Sequence, residues 1–141
     1  MPPDRERIPS DSSGSNVGAI VRLAAAFDTS GVALLPGCAD PFGPKAIRAS
    51  AGAILHVPCV NVTLDELLAS GWPLVAADGR GESIDPPTRR TILAFGSEGG
   101  GVSDALAREA QRVAIPMSKR IDSLNVAMAA AILLSRSYAL R

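Results

Sequence analysis

The sequence predicts an α/β fold built on a parallel sheet, and three observations carry that prediction. Short apolar segments recur at 32–35, 73–77, 92–95 and 113–116, and none alternates with polar residues. Strands read this way when both faces are covered by helices, which is the situation of parallel sheets. Segments of helical spacing stand between them, as crossover connections between parallel strands require. Hydrophobic residues make up 47% of the 141 and charged residues 20%, enough for one globular domain and too apolar for a disordered chain.

Residues 1–15 hold three prolines and the polar run Ser10-Asp-Ser-Ser-Gly-Ser15. Without apolar periodicity they read as a flexible lead-in, leaving 16–141 as the domain. Asn16 is a good N-cap, and Val17, Ile20, Val21, Ala24 and Ala25 form an apolar stripe at helical spacing. The strand at 32–35 is closed by Pro36-Gly37, and Pro44 suits the first turn of a helix through Ser50. The β-branched run at 56–62 is interrupted by Pro58, which suggests an edge or an early strand position. Thr63-Leu-Asp-Glu66 is a capping box, opening a short helix that Gly71 stops.

After the strand at 73–77, residues 79–90 read as a long polar turn. The strand at 92–95 runs into Gly96-Ser-Glu-Gly-Gly-Gly101, and a helix over 103–110 precedes the strand at 113–116. The longest helix is expected over 123–138. Ligands of such sheets sit outside the carboxyl ends of the strands, where the glycine loop after Phe95 and the segment after Pro116 both fall.

Composition excludes several functions. Fourteen basic and fourteen acidic side chains give zero net charge, so no basic arm coats nucleic acid and any such contact is a local patch. Aromatic residues are 4%, too few for a base-stacking platform. Cys38 and Cys59 cannot make a disulfide framework. One histidine, His56, rules out a multi-histidine metal site and suits a structural or surface role, and no metal is expected. The N-terminal stretch lacks an apolar targeting core, and the longest apolar run, 126–134, is about half of the roughly 20 residues of a membrane span. The expectation is a soluble cytoplasmic protein without membrane contact.

Three segments carry candidate chemistry. In Asn16-Val-Gly-Ala-Ile-Val-Arg22, glycine lets another backbone approach and Arg22 follows Gly18 on roughly the same helix face; an ordinary amphipathic helix with a surface arginine reads alike. In Ile92-Leu-Ala-Phe-Gly-Ser-Glu-Gly-Gly-Gly101, a strand enters a glycine turn, without the Lys-Ser/Thr pair of a phosphate loop or the dinucleotide spacing. Glu98 at its head suits a cationic or hydroxyl group. In Ile115-Pro-Met-Ser-Lys-Arg-Ile-Asp-Ser-Leu-Asn-Val126, Asp122 or Ser123 can cap the last helix, while free N–H groups, a hydroxyl and an amide converge at the sheet's carboxyl edge.

Together and in this order, these segments resemble the SpoU (TrmH-like) family of SPOUT methyltransferases. Asp40-Pro-Phe-Gly-Pro-Lys-Ala-Ile-Arg-Ala-Ser50 is similar to that family's stretch between its first and second motifs, and the resemblance spans 16–138. It implies a parallel-sheet SPOUT fold with a C-terminal deep trefoil knot, S-adenosylmethionine as cofactor, a homodimer, and 2′-O-methylation of ribose in tRNA or rRNA. The family's cofactor contacts fall on Gly96, Ile115 and Leu124, with Met117, Glu98 and Asn125 at adjoining motif positions. Its catalytic set falls on Arg22, Asn16, Glu98, Ser123 and Asn125. The resemblance implies Arg22 as the activator; its chemistry suits orienting the ribose hydroxyl or a phosphate, and the base stays open between Arg22 and Glu98. The final helix, carrying Val126, Met128, Ala129, Ile132, Leu133 and Tyr138, is the implied dimer surface.

Two departures stand out. Members usually have a strand directly before the first motif; here Ser13-Gly-Ser-Asn16 follows a polar stretch, so that first strand is expected to be missing and a sheet edge bare. Lys119 stands where glycine is common, and the separate N-terminal RNA-recognition domain that many relatives carry is expected to be absent. A truncated, catalytically silent SPOUT domain that binds RNA or a protein partner is the alternative. A generic nucleotide-binding module explains the glycine loop but not the other two motifs.

Overall fold

The structure, a computed structural model, describes residues 7–10, 14–82, 90–96 and 102–140. Among these, strands β1 (Arg7–Ser10), β2 (Gly31–Leu34), β3 (Cys59–Asn61), β4 (Leu74–Glu82), β5 (Ile92–Ala94) and β6 (Gln111–Val113) form one sheet. Their order is β3-β2-β1-β5-β4-β6 and every pairing is parallel. The helices are α1 (Gly14–Ala26), α2 (Pro44–Ser50), α3 (Leu64–Ala69), α4 (Asp104–Glu109) and α5 (Val126–Ala139).

The two-residue pleat period sorts the strand side chains into two cores. Val32, Leu34, Val75, Leu93 and Phe95 face α1 and α5, meeting Val17, Ile20, Val21, Ala130, Leu133 and Leu134. Ala33, Leu74, Ala76, Ile92 and Ala94 face the other way, under Leu67 of α3 and Leu106 of α4. Both strand faces are therefore dry, which is why these segments read as unbroken apolar runs. The order of connection reverses between β1 and β5, and at such a reversal the strand ends splay to leave a crevice.

Several expectations are corrected. A first strand is present, within what read as the lead-in, and it lies at the centre of the sheet rather than leaving an edge bare. Its register with β2 runs from Arg7 opposite Gly31 to Ser10 opposite Leu34. Arg-Ile-Pro-Ser has one aliphatic residue, and Pro9 withholds a backbone donor, so no local pattern announces it; pairing with neighbours makes it a strand. Helix α1 begins at Gly14, which puts Asn16 in its first turn rather than at its cap. Strand β4 continues to Glu82 and slips register against β6 after Ala77, taking up the start of the expected turn. β6 ends at Val113, where the sequence suggested a beginning. His56 follows a 3-10 turn, Ala53–Leu55, and is exposed.

Other local signals act as read. Thr63 Oγ1 accepts the Glu66 N–H at 3.1 Å while a Glu66 carboxylate oxygen accepts the Thr63 N–H at 3.3 Å, closing the capping box. Gly18 brings α1 onto α2: a Cβ there would lie 2.7 Å from the Ala49 Cβ and 2.9 Å from the Ala46 carbonyl carbon. Cys38 and Cys59 are not joined in a disulfide, and burial pushes the Cys59 thiol up to about 11, which keeps it protonated at neutral pH. No helix among the described residues is long and apolar enough to cross a membrane.

Candidate functional site

Among the described residues, two of the depressions at the carboxyl edge of the sheet are lined by residues singled out from the sequence. One, of about 130 Å³, lies between the end of β4 and the segment leading into α5. Ile115, Met117, Ser123 and Leu124, all singled out from the sequence, line it together with Ala77, Asp78, Gly79, Asp122 and Ala129. The other, of about 210 Å³, lies at the ends of β2 and β5, where Gly96 and Phe95 meet Leu35, Pro36 and Leu106. Gly96 therefore opens a separate depression rather than the one that Leu124 lines. Each is smaller than the roughly 300–1,000 Å³ of small-ligand sites.

Residues 114–118 belong to no helix or strand, and 123–125 lead into α5 without a helical turn. The helix is capped by Asn125, not by Ser123 or Asp122: its Oδ1 accepts the Ala127 N–H at 2.9 Å. With that oxygen committed, the Asn125 Nδ2 is left to donate, and it does so to Asn16 Oδ1 at 3.4 Å. One amide thus holds the start of α5 to the first turn of α1 across 109 positions of sequence. Ser123, released from capping, is an exposed hydroxyl on the wall of the smaller depression.

The tie predicts a measurable stability effect. Asn125→Ala removes both the cap acceptor and the bridge to Asn16 and is expected to cost about 1–2 kcal/mol. Asn125→Asp keeps the cap acceptor, places negative charge at a helix start, and is expected to recover most of that loss in urea unfolding.

Arg22 is exposed on α1, one turn beyond Gly18, and lies about 9 Å along the helix axis from Asn16 at 1.5 Å per residue. It does not line either depression. Glu98 lies outside the described residues. Sequence reading passed over Ala77-Asp78-Gly79, which it placed at a strand end and in a turn. Asp78 is mostly buried at the cavity wall, 3.9 Å from Arg112 Nε. The signal available was a strand ending in Asp-Gly at the carboxyl edge, beside the segment after Pro116. Two carboxylates, Asp78 and Asp122, with apolar Ile115, Leu124, Ala77 and Ala129, make a cavity suited to a ligand that is flat and apolar at one end and cationic at the other. Among the described residues no group of three or more His, Cys, Asp or Glu side chains is placed to hold a metal.

A parallel sheet with an order reversal, and a polar helix start over a cavity at its carboxyl edge, define a ligand-binding α/β domain of the doubly wound kind. Comparison with known proteins makes this specific. The model of the SpoU rRNA Methylase family matches residues 11–135, and the chain belongs to that family. It is 40% identical over 132 residues to the 23S rRNA (adenosine(1067)-2'-O)-methyltransferase of Streptomyces laurentii, covering 86% of this chain and 48% of that one. It is 35% identical over 126 residues to the 23S rRNA (guanosine(2553)-2'-O)-methyltransferase RlmP of Bacillus subtilis, covering 84% and 51%. The chain spans about half the length of these curated relatives. Its fold is similar to the SpoU methyltransferase AviRb from Streptomyces viridochromogenes in complex with the cofactor AdoMet, at TM-score 0.87 and 29% identity over 96% of this chain and 60% of that one.

Proposed function

We propose that this chain is the methyl-transferring domain of an S-adenosylmethionine-dependent RNA 2′-O-ribose methyltransferase acting on rRNA or tRNA. The observation that carries the reading is the junction of Asn16 and Asn125 beside a cavity walled by Ile115, Met117 and Leu124. Members of the first and third sequence motifs meet there, which a purely structural reading of each motif does not require. The cavity's apolar walls fit adenine, and its carboxylates fit the positive charge of a sulfonium and an amine.

When bound, the cofactor supplies an electrophilic methyl group on a sulfonium. The chain's own residues align and exclude. Ile115, Met117 and Leu124 hold the adenine side, Gly96 leaves room for backbone approach, and Ser123, Asn16 and Asn125 present hydroxyl and amide groups toward the ribose. Arg22 orients the 2′-hydroxyl or its phosphate; a guanidinium is a poor base, which leaves Glu98 as the proton acceptor.

The same reading includes a knotted C-terminal segment and a homodimer through α1 and α5. Met128, Tyr138 and Leu140 are exposed on α5 or directly after it, more apolar surface than one sheet face uses. Since Arg22 lies away from the cavity of its own chain, a second copy is the natural source of the Arg22 that meets RNA there. Isothermal calorimetry with S-adenosylmethionine tests the pocket. Saturable binding that Leu124→Asp abolishes is expected, and no heat of binding by a folded chain would contradict the reading.

A further inference from the structure

Cations are unevenly spread over this neutral chain. Helices α1 and α2 carry Arg22, Lys45 and Arg48 and no acid, whereas α3 carries Asp65 and Glu66 and no base. All three cations are exposed, and among the described residues none has an ion-pair partner. Arg112 and Arg108 differ: one lies 3.9 Å from Asp78 and the other donates to the Asp104 carbonyl at 3.3 Å. Three unneutralised cations on two adjacent helices repel one another unless an anion joins them.

Their placement is linear. Gly14, Gly18 and Arg22 follow one another at four-residue spacing on α1, and the glycines meet Lys45 and Ala49 of α2. A Cβ on Gly14 would lie 3.3 Å from the Lys45 Cβ, and one on Gly18 would lie 2.7 Å from the Ala49 Cβ. The helices therefore run side by side in the same direction, with Lys45 at one end of the seam, Arg48 a turn along and Arg22 near the other end. From Gly14 to Arg22 is about 12 Å. Phe42, 61% exposed and three residues before Lys45, is fixed by the bond from its N–H to Asp40 Oδ1 at 2.9 Å.

We propose that the α1–α2 seam is a track for the RNA backbone, in which Lys45 and Arg48 each take a phosphate of the strand whose target ribose is presented at Arg22. This rests on the RNA reading above and adds to it the residues that supply affinity and register, as phosphate contacts do in general. Exposed, unpaired cations in a row match a polyanion of regular spacing; they do not match a protein surface, where charge signs alternate.

The test is the salt dependence of binding to a fluorescein-labelled 20-nucleotide oligouridylate. Each lost phosphate contact flattens the slope of log affinity against log salt by about 0.7 for a single strand. Lys45→Ala and Arg48→Ala are each expected to flatten it by about that amount, and the double variant by about twice as much, with a roughly tenfold or greater loss of affinity at low salt. Lys45→Arg is expected to keep the slope, and Arg108→Ala, on the opposite face of the sheet, to leave it unchanged. S-adenosylmethionine calorimetry on the same variants is expected to match the unsubstituted protein, so a failure of the cofactor reading is seen separately from a failure of the track. An unchanged slope in the double variant with folding intact overturns the proposal. So does a change in sedimentation without a change in slope, which would make the seam a contact between copies.

Discussion

Arg22→Ala is expected to reduce methyl transfer at least a hundredfold at saturating substrate while leaving the affinity for S-adenosylmethionine unchanged. The size follows from what the side chain would do. Displacement at a methyl carbon needs the attacking oxygen in line with the leaving sulfur, and a slightly misplaced nucleophile loses rate steeply. The selectivity follows from where it stands, exposed on α1 and lining neither depression. Arg22→Lys is expected to fail almost as badly, because an ammonium is a point charge and cannot reproduce the planar, two-donor grip of a guanidinium. Steady-state kinetics with the cofactor and RNA varied in turn read the two effects apart. Weaker cofactor binding with turnover spared at saturation would move Arg22 into the cofactor pocket and overturn the assignment.

The largest expected effect on folding is at Gly18. In an unconstrained helix, glycine to alanine stabilises by about 1 kcal/mol. Here the added methyl meets the Ala46 carbonyl group and the Ala49 Cβ, and backbone cannot yield as a flexible side chain can. Overpacking of this kind costs about 1–3 kcal/mol, so Gly18→Ala is expected to be net destabilising. Gly18→Val, with two further carbons in the same seam, is expected to prevent native packing of α1 on α2. Urea midpoints give the sign directly; a higher midpoint for Gly18→Ala would show that the helices have room to separate.

Much of the fold was legible because both faces of this sheet are covered. Residues 32–34, 74–77 and 92–94 read as strands since every side chain there is apolar, and α2 and α3 announced themselves by Pro44 and the Thr63–Glu66 box. The central strand β1 was not legible. Its identity lies in its register with β2 and β5, far away in sequence, while its own residues include a proline and charge. The ends of β4 and β6 were missed for a related reason: Gly79 and Gly81 look like turn residues, and a Cβ on Gly81 would lie 2.8 Å from the Arg112 Cβ. That glycine serves close strand approach rather than a turn.

At the site, residue types were legible and their partners were not. Asn125 stood out in a polar cluster, but the cap fell to it rather than to Ser123 because its carbonyl oxygen reaches Ala127 while its amino group reaches Asn16. A bond spanning 109 positions leaves no trace in a local pattern. Asp78 was passed over because its significance is spatial: it borders the cavity that Ile115 and Leu124 line.

The most direct test of the central claim is transfer of a tritiated methyl group from S-adenosylmethionine to rRNA and tRNA, followed by alkaline hydrolysis of the labelled RNA. Methylation of a ribose 2′-hydroxyl removes the nucleophile that cleaves the adjacent phosphodiester. Label is therefore expected in alkali-resistant dinucleotides, and to be absent when Arg22→Ala replaces the unsubstituted protein. Label released in single nucleotides would place the methyl on a base, and no label from a protein that binds the cofactor would leave a silent RNA-binding domain; either result would contradict the account.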